Sequence, residues 1–227
     1  MRPEQWQQLE AYMQDRMRDS AHDRQHVYRV LNNALEIARD EENVNLDVLL
    51  AAAILHDVGR ADELVDPAAD HAVTGGERAY QLLRQMGYEE AFAAHVRQCI
   101  RTHRFRRADP PASIEAKILF DADKLDVCGA IGIARTLMYA GSHGRPLYTQ
   151  DENGMLRDGA QDTEDTFLRE YRTKLEGMYG RFLTRRGAEL AARRQAAARG
   201  FCTALLSEVE DNADTACAML KQLVNGS

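Results

Sequence analysis

The sequence has few of the residues on which secreted and membrane proteins depend. Its four cysteines are widely spaced and form no Cys-x-x-Cys pair, so neither a zinc ribbon nor a thioredoxin-like site is supported, and buried free thiols are expected. The longest apolar run, Val48 to Leu55, has eight residues, whereas a membrane span needs roughly 20. The N-terminal stretch carries charges where a secretion signal needs an apolar segment. We therefore expect a cytoplasmic protein that does not bind membranes.

An excess of basic residues is also absent. Lysine and arginine number 29 against 36 acidic residues, which gives a formal net charge of −7. This balance argues against stable binding of nucleic acid. Hydrophobic residues make up 44% and charged residues 29% of the 227 residues, which is typical of a globular protein with a sizeable core. The composition leaves the oligomeric state open between monomer and homodimer.

Helical spacing dominates the pattern, and strand-like alternation is scarce, so we predict an all-α fold. The segment 47–58 is apolar nearly all round, as expected for a buried central helix, and Gly59 is predicted to end it. The stretch 141–162 contains five of the glycines and prolines and is predicted to be one long loop. Helices are predicted at 3–17, 27–38, 47–58, 70–86, 89–103, 112–140, 163–184 and 187–210.

The dyad His56-Asp57 ends an otherwise apolar helix in the stretch AAAILHDVGR. Burying an unpaired charge is costly, so a buried dyad needs partners. A divalent cation would bind both residue types, whereas a helix that ends at the surface would leave both side chains in water. The dyad alone leaves these two interpretations open.

A second acidic feature lies in KILFDADKLDVCGAIGIART. Successive helical residues differ by 100°, so Asp121 and Asp123 point to nearly opposite sides, while Asp123 and Asp126 share a face. Asp123 lies beside an apolar stripe, and the small residues after it predict close packing against another helix. The alternative is a pair of acids that interact only with the helix dipole.

Two histidines lie four residues apart in SAHDRQHVYRV, a spacing that can bind a metal by itself. His26 is favoured as a ligand because it begins the apolar helix that contains Val27. His22 and Asp23 precede that helix and are predicted to cap it or to support a ligand.

The pattern His26, His56-Asp57 and Asp123 resembles the HD superfamily of metal-dependent phosphohydrolases. The stretches HDRQHVYRV, LLAAAILHDVGR and DADKLDVCGAIGIART, together with a C-terminal stretch that begins TKLEGMYGRFL, are similar to the bacterial YedJ-like HD-domain hydrolases. The likeness covers about residues 20–210.

The resemblance implies an HD-domain helical bundle with additional C-terminal helices. It implies one domain over residues 1–227, with a metal-binding core at about 20–140 and a helical part at about 141–227. A bound ion can lower the pKa of water from about 15.7 towards about 7, so the implied activity is hydrolysis of a phosphate ester or anhydride of a nucleotide or other small phosphorylated metabolite. The implied ligands of a divalent ion (Mn, Fe, Ni, Co, Zn or Mg) are His26, His56, Asp57 and Asp123, with Asp126 as a supporting residue.

Two further histidines extend the resemblance. His71 and His103 fall where two-metal HD proteins hold a second ion, with Asp57 as the bridging residue; the alternatives are that they bind substrate phosphate or are ordinary core histidines. Arg60 stands where HD-GYP proteins have a phosphate-binding lysine, and Lys124 is a second candidate cation. We therefore predict catalytic roles for Asp57, which would also orient the attacking water, and for Arg60 and Lys124.

Arginines are concentrated between residues 97 and 107. They could steer an anionic substrate, but runs of charge usually face water, which favours a solvated helix end. The residues concerned are Arg97, Arg101, Arg104, Arg106 and Arg107.

Departures from the family's better-known branches limit the substrate. Arg60 stands where the stringent-factor hydrolase domains carry acids, and no GYP motif is present, so neither guanosine tetraphosphate nor cyclic di-GMP is expected. Two other functions remain open: an HD-fold di-iron oxygenase, and a non-catalytic helical module that binds a nucleotide or partner through a vestigial site.

Overall fold

The computed structural model describes residues 1–17, 24–66, 68–104, 109–152 and 155–225. Within these ranges the chain is all-α, as predicted, apart from one antiparallel bridge between Gln150 and Leu156. His22 and Asp23 lie outside the described residues. The helices are α1 Pro3–Arg16, α2 Arg24–Ala38, α3 Leu46–Leu55, α4 Arg60–Val65, α5 His71–Gln85, α6 Glu90–Thr102, α7 Ile114–Leu125, α8 Gly129–Ser142, α9 Phe167–Glu170 and α10 Arg185–Asn225.

The chain divides into two compact units. The first contains residues 1–126 and 183–187, and the second contains residues 127–182 and 188–227. The organisation as one domain, with a core that ends near residue 140, stays a prediction. No helix among the described residues is long and apolar enough to cross a membrane.

Helix α3 forms the centre of the first unit. It contacts α1, α2, α5, α6 and α7, and its residues from Val48 to Leu55 are buried with one partly exposed exception. This explains why α3 is apolar on every side, whereas α2, α5 and α6 have one apolar face each. Side chains before three helices hold their first turns, because Asn45, Asp70 and Ser113 accept hydrogen bonds from backbone N–H groups of α3, α5 and α7.

Gly59 does not end α3, so that prediction is wrong. Helix α3 ends at Leu55, and Gly59 follows a turn, with a negative φ, directly before α4. A Cβ atom at Gly59 would lie 2.4 Å from the carbonyl oxygen of His71 and 2.6 Å from the backbone nitrogen of Gly75. A glycine is needed here because the turn after α3 packs against the backbone of α5.

The predicted helix 112–140 is two helices, α7 and α8. Gly129 begins α8 with φ +66°, a conformation that L side chains rarely adopt. A Cβ atom there would lie 2.9 Å from the Cβ of Arg194 on α10. The predicted close packing of this small-residue run therefore occurs at Gly129. This residue lies against α10 at the point where α8 begins after the break.

The second unit has its own apolar core. Phe167 and Tyr171 pack with Ile133 of α8 and with Ala198 and Cys202 of α10. The predicted helix 163–184 is interrupted, because a π-helical turn over Tyr171–Leu175 and a 3₁₀ turn over Glu176–Gly180 follow α9.

Candidate metal centre

Three helix ends bring a first group of donors together. His26 lies in the first turn of α2, His56 follows α3 and Asp123 lies in the last turn of α7. His26 Nε2 is 3.3 Å from His56 Nε2 and 3.3 Å from Asp123 Oδ1. Two donors on one ion, each at about 2.0–2.2 Å, lie about 3.0–3.5 Å apart. These three residues, here called the first cluster, therefore have the spacing of ligands that share a cation.

A second cluster consists of Asp57, His71 and His103. His71 begins α5, and His103 directly follows α6. All three side chains are buried. Asp57 Oδ1 lies 3.4 Å from His71 Nε2 and 3.9 Å from His103 Nε2.

Asp57 also faces the first cluster. Its Oδ2 lies 3.5 Å from His26 Nε2 and 3.6 Å from His56 Nε2. The two oxygens of one buried carboxylate are thus divided between the two clusters, which is the arrangement expected of a carboxylate that contacts a metal on both sides.

The hydrogen bonds of the imidazole rings leave the Nε2 atoms available. Nδ1 of His56 donates to the carbonyl oxygen of Ala53 at 2.8 Å, and Nδ1 of His103 donates to that of Ile100 at 2.6 Å. A carbonyl only accepts, so both protons are on Nδ1 and both Nε2 atoms carry a lone pair. The buried side-chain atoms without a hydrogen-bond partner in the described ranges include three at the clusters: Nε2 of His71, Nε2 of His103 and Oδ2 of Asp57. Buried acceptors without donors are costly. A cation at the second cluster would satisfy the two Nε2 atoms, and a cation at the first cluster would satisfy Oδ2 of Asp57.

The charges of the first cluster favour a cation. Burial alone would lower the pKa of His26, but its contacts with the carboxylates of Asp123, Asp126 and Asp57 outweigh burial and raise the pKa to about 11. Burial would raise the pKa of Asp57, yet His56, Arg60 and His26 hold it well below its usual range. Asp57 is therefore ionised at neutral pH. The negative potential that stabilises a proton on His26 would also stabilise a divalent cation between these residues.

The second cluster has a different electrostatic character. Burial lowers the pKa of His103 to about 3, and burial together with the charge of Arg60 lowers the pKa of His71 to about 4. Both rings are therefore neutral at pH 7, the form in which histidine binds a metal.

The other predicted site residues divide into two groups. Arg60 Nε donates to Asp57 Oδ1 at 3.0 Å, and Asp126 Oδ2 lies 2.7 Å from His26 Nδ1, so both lie beside the donors. The ammonium of Lys124 lies 4.1 Å from the centroid of the Phe120 ring. The catalytic role of Lys124 stays a prediction.

The sequence reasoning missed Glu63 and the contact that Arg104 makes with it beside the second cluster. Glu63 of α4 hydrogen-bonds His71 Nδ1, and Arg104 donates to Glu63 Oε1 at 3.0 Å. Arg104 is only 14% exposed, so the expectation of a solvated helix end is wrong for this arginine; Arg106 and Arg107 lie outside the described residues. The sequence did contain a signal for both residues. Arg104 directly follows His103, and Glu63 lies three residues after Arg60, a spacing at which helical residues form ion pairs.

The side chains around the clusters differ in their exposure to solvent. His56 and Asp57 are fully buried, whereas Asp123, Arg60 and Glu63 have side chains exposed by 23%, 23% and 24%. These three partly exposed groups, one of which is a cation, are therefore accessible to a ligand.

The fold and these clusters define an all-α protein with two His/Asp clusters that could hold a divalent metal. The family model described as "HD domain" matches residues 24–128, a range that contains both clusters. A protein of Bacillus subtilis (strain 168), "Uncharacterized protein YpgQ", is 34% identical over 154 residues, which are 65% of this chain and 72% of that protein. The chain belongs to the HD domain family.

Solved structures agree with this assignment. A predicted HD superfamily hydrolase from an uncultured Thermotogales bacterium has a TM-score of 0.62 at 30% identity and covers 89% of this chain and 91% of its own. A crystal structure of Bacillus subtilis YpgQ in complex with ADP has a TM-score of 0.69 at 27% identity and covers 90% and 95% of the two chains. The protein therefore has the fold of the HD superfamily hydrolases.

Proposed function

We propose that the protein is a divalent-metal-dependent phosphohydrolase that hydrolyses a phosphate ester or anhydride of a nucleotide or of another small phosphorylated metabolite. The observation that carries the proposal is the position of Asp57, whose two oxygens face the two clusters while Arg60 binds one of them. The likeness to YpgQ, which has been crystallised with ADP, supports a nucleotide as the substrate.

The first cluster and Asp57 would hold the catalytic ion. When bound, the ion supplies Lewis acidity, which lowers the pKa of a water molecule and polarises a phosphoryl oxygen. The two imidazoles favour transition metals over Mg²⁺, so we expect Mn²⁺, Fe²⁺, Co²⁺, Ni²⁺ or Zn²⁺ to bind more tightly. His71 and His103 offer either a second metal site or contacts for a phosphate group.

The side chains around the ion have separate tasks. Asp57 is ionised at neutral pH, so it accepts a hydrogen bond from the attacking water and orients it. Arg60, whose side chain is partly exposed, neutralises a phosphate oxygen of the incoming substrate. Lys124 contributes a further positive charge from α7. The burial of His56 and His26 excludes bulk water and strengthens these electrostatic contacts.

The di-iron oxygenase remains a second candidate, because a carboxylate that faces two donor clusters also suits two iron ions. Oxygen uptake that depends on bound iron would favour the oxygenase. Metal analysis of protein purified without chelator separates the two, since an oxygenase needs iron and a phosphohydrolase turns over with other divalent ions.

The deciding experiment is a hydrolysis assay with nucleoside diphosphates, nucleoside triphosphates and simple phosphomonoesters in Mn²⁺, Mg²⁺, Ni²⁺ and Co²⁺. We expect release of phosphate or pyrophosphate from at least one substrate, and loss of both metal and turnover in His56→Ala. His143→Ala, which removes an exposed imidazole, is the matched control and retains activity. Equal activity of His56→Ala and the wild type refutes the proposal.

A further inference from the structure

His26 of the first cluster and His71 of the second each contact a carboxylate that is itself bound by an arginine. Each set of arginine, carboxylate and imidazole is called a relay here. In the first, Arg29 binds Asp126 through Nε at 2.6 Å and Nη2 at 3.1 Å, and Asp126 contacts His26 Nδ1. In the second, Arg104 donates to one oxygen of Glu63 at 3.0 Å. The other oxygen of Glu63 contacts His71 Nδ1.

A carboxylate behind an imidazole determines which ring nitrogen carries the proton. Ionised Glu63 only accepts hydrogen bonds, so its contact with His71 requires the proton on Nδ1. The lone pair of His71 is then on Nε2, which is buried, faces Asp57 and has no hydrogen-bond partner among the described residues. Carboxylates in this position orient histidine ligands and increase their basicity.

Arg104 competes for the same nitrogen of His71. Its Nη1 lies 2.8 Å from His71 Nδ1 as well as 3.0 Å from Glu63 Oε1. If Arg104 donated to Nδ1, the carboxylate of Glu63 would face an imidazole lone pair, and His71 would carry its proton on Nε2. The contact of Glu63 with Nδ1 is shorter than that of Arg104 with Nδ1 and shorter than the 3.4 Å between Asp57 Oδ1 and His71 Nε2. A lone pair on Nδ1 would therefore meet a closer carboxylate than a lone pair on Nε2 does, so the first arrangement is favoured.

The tautomer decides what the second cluster can bind. A phosphate group is bound by N–H donors, whereas a cation is bound by lone pairs. His103 already presents a lone pair on Nε2, because its Nδ1 donates to the carbonyl oxygen of Ile100. With Glu63 in place, His71 does the same, and Asp57 adds a carboxylate oxygen.

We propose that Glu63, held by Arg104, is a positioning residue that fixes His71 in the Nδ1–H tautomer, so that the second cluster takes a divalent cation and not a substrate phosphate. The proposal deepens the proposed function, because it rests on the first cluster and Asp57 forming a metal site. It gives Glu63 and Arg104 of the second relay the roles that Asp126 and Arg29 have in the first.

The test is a titration of the metal-free protein with Co²⁺, followed by visible absorption and calorimetry, so that no turnover is needed. We expect two equivalents in the wild type. In Glu63→Ala we expect one of them to bind about 10–100-fold more weakly and the other unchanged. Glu63→Gln keeps a carbonyl acceptor for Nδ1–H and restores most of the affinity.

The matched control is Asp62→Asn, on the same helix. Asp62 contacts Arg16 and Arg78 instead of a cluster residue, so this variant loosens α4 without touching His71. We expect both Co²⁺ equivalents to bind as in the wild type. A loss in Asp62→Asn equal to that in Glu63→Ala means that Glu63 only anchors α4, and overturns the proposal.

The tautomer is measured directly by ¹⁵N NMR of the histidine rings in the metal-free protein. We expect the proton of His71 on Nδ1 in the wild type. A proton on Nε2, saturation of the wild type at one equivalent, or unchanged titration of Glu63→Ala each overturns the proposal. Two equivalents with the expected Glu63 dependence but no hydrolysis would refute the phosphohydrolase function alone, so the two failures are distinguishable.

Discussion

Asp126 Oδ2 lies 2.7 Å from His26 Nδ1, across 100 residues of sequence. Both side chains are buried, and Arg29 binds both oxygens of Asp126. The ring of His26 is therefore oriented by a carboxylate whose two oxygens are both bound by Arg29. This orientation directs Nε2 of His26 at the other donors of the first cluster.

Removing this carboxylate's charge should weaken the first cluster. In Asp126→Asn we expect metal affinity at the tighter site to fall about 10–100-fold, because the supporting partner of a histidine ligand contributes to its orientation and basicity. Calorimetric titration with Mn²⁺ measures the change. Asp109→Asn, an exposed acid that accepts only from Gln98 in the contacts found, should bind as the wild type does. Equal affinities in Asp126→Asn and Asp109→Asn would contradict the assigned role.

Arg60 should affect substrate more than metal. In Arg60→Ala we expect kcat/KM for a phosphorylated substrate to fall about 10–100-fold, since a hydrogen bond to a charged group contributes about 1.5–3 kcal/mol. Arg60→Lys should recover part of this loss, and Arg39→Ala, a 76% exposed arginine, should lose nothing. Steady-state kinetics at saturating metal make the measurement. If kcat/KM is unchanged in Arg60→Ala, Arg60 does not contribute to substrate binding or turnover.

Gly59 is the position at which a methyl group should be most harmful. In Gly59→Ala the new Cβ would overlap the carbonyl oxygen of His71 and the nitrogen of Gly75, both of which are backbone atoms. We expect the free energy of unfolding to fall by about 1–3 kcal/mol or more, measured by urea denaturation. Gly141→Ala, where no atom lies within 4 Å, should leave it unchanged or raise it by up to about 1 kcal/mol. If Gly59→Ala leaves the free energy of unfolding unchanged, the turn after α3 can move away from α5.

The contribution of Asp62 to the stability of the folded protein should depend on pH. Hydrogen bonds from Arg78 lower its pKa below the ordinary value of 3.8. A carboxyl with a lowered pKa in the folded state stabilises the protein fully above the unfolded pKa, and this stability is lost as the pH falls through the folded value. We therefore expect Asp62→Asn to be about 1 kcal/mol less stable than the wild type at pH 7, with the difference disappearing as the pH falls through the lowered pKa of Asp62 in the folded protein.

Urea denaturation of both proteins at several pH values tests this. Glu42→Gln, which neutralises an exposed acid in the turn before α3, is the control and should follow the wild type throughout. A constant gap between Asp62→Asn and the wild type at every pH would show that the charge of Asp62 is not what stabilises α4.

The sequence was informative where the signal is local. The apolar periodicity predicts α2, α3, α5 and α6 to within a few residues, because each buries one face or its whole surface. The opposed directions of Asp121 and Asp123 also follow from helical geometry, and they are confirmed, since Asp121 binds Leu183 and Thr184 while Asp123 faces His26.

The remaining features depend on contacts between distant segments. At the break between α7 and α8, Gly129 approaches Arg194 of α10, a residue 65 positions later that helical spacing alone does not indicate. Glu63 and Arg104 lie 41 residues apart, and each alone looks like an ordinary surface charge. Only the packing of α4 beside the end of α6 shows that they form a pair behind His71.

Asp121 has a consequence for how the chain can be shortened. Its carboxylate accepts from the backbone N–H groups of Leu183 and Thr184 and from the Thr184 hydroxyl. A fragment that stops at residue 128, where the family match ends, would keep all six donor residues but would strand this buried carboxylate without those three donors. Any minimal version of the protein must therefore carry residues 183–187 as well, and a deletion of the intervening stretch has to reconnect the chain so that Leu183 and Thr184 still reach α7.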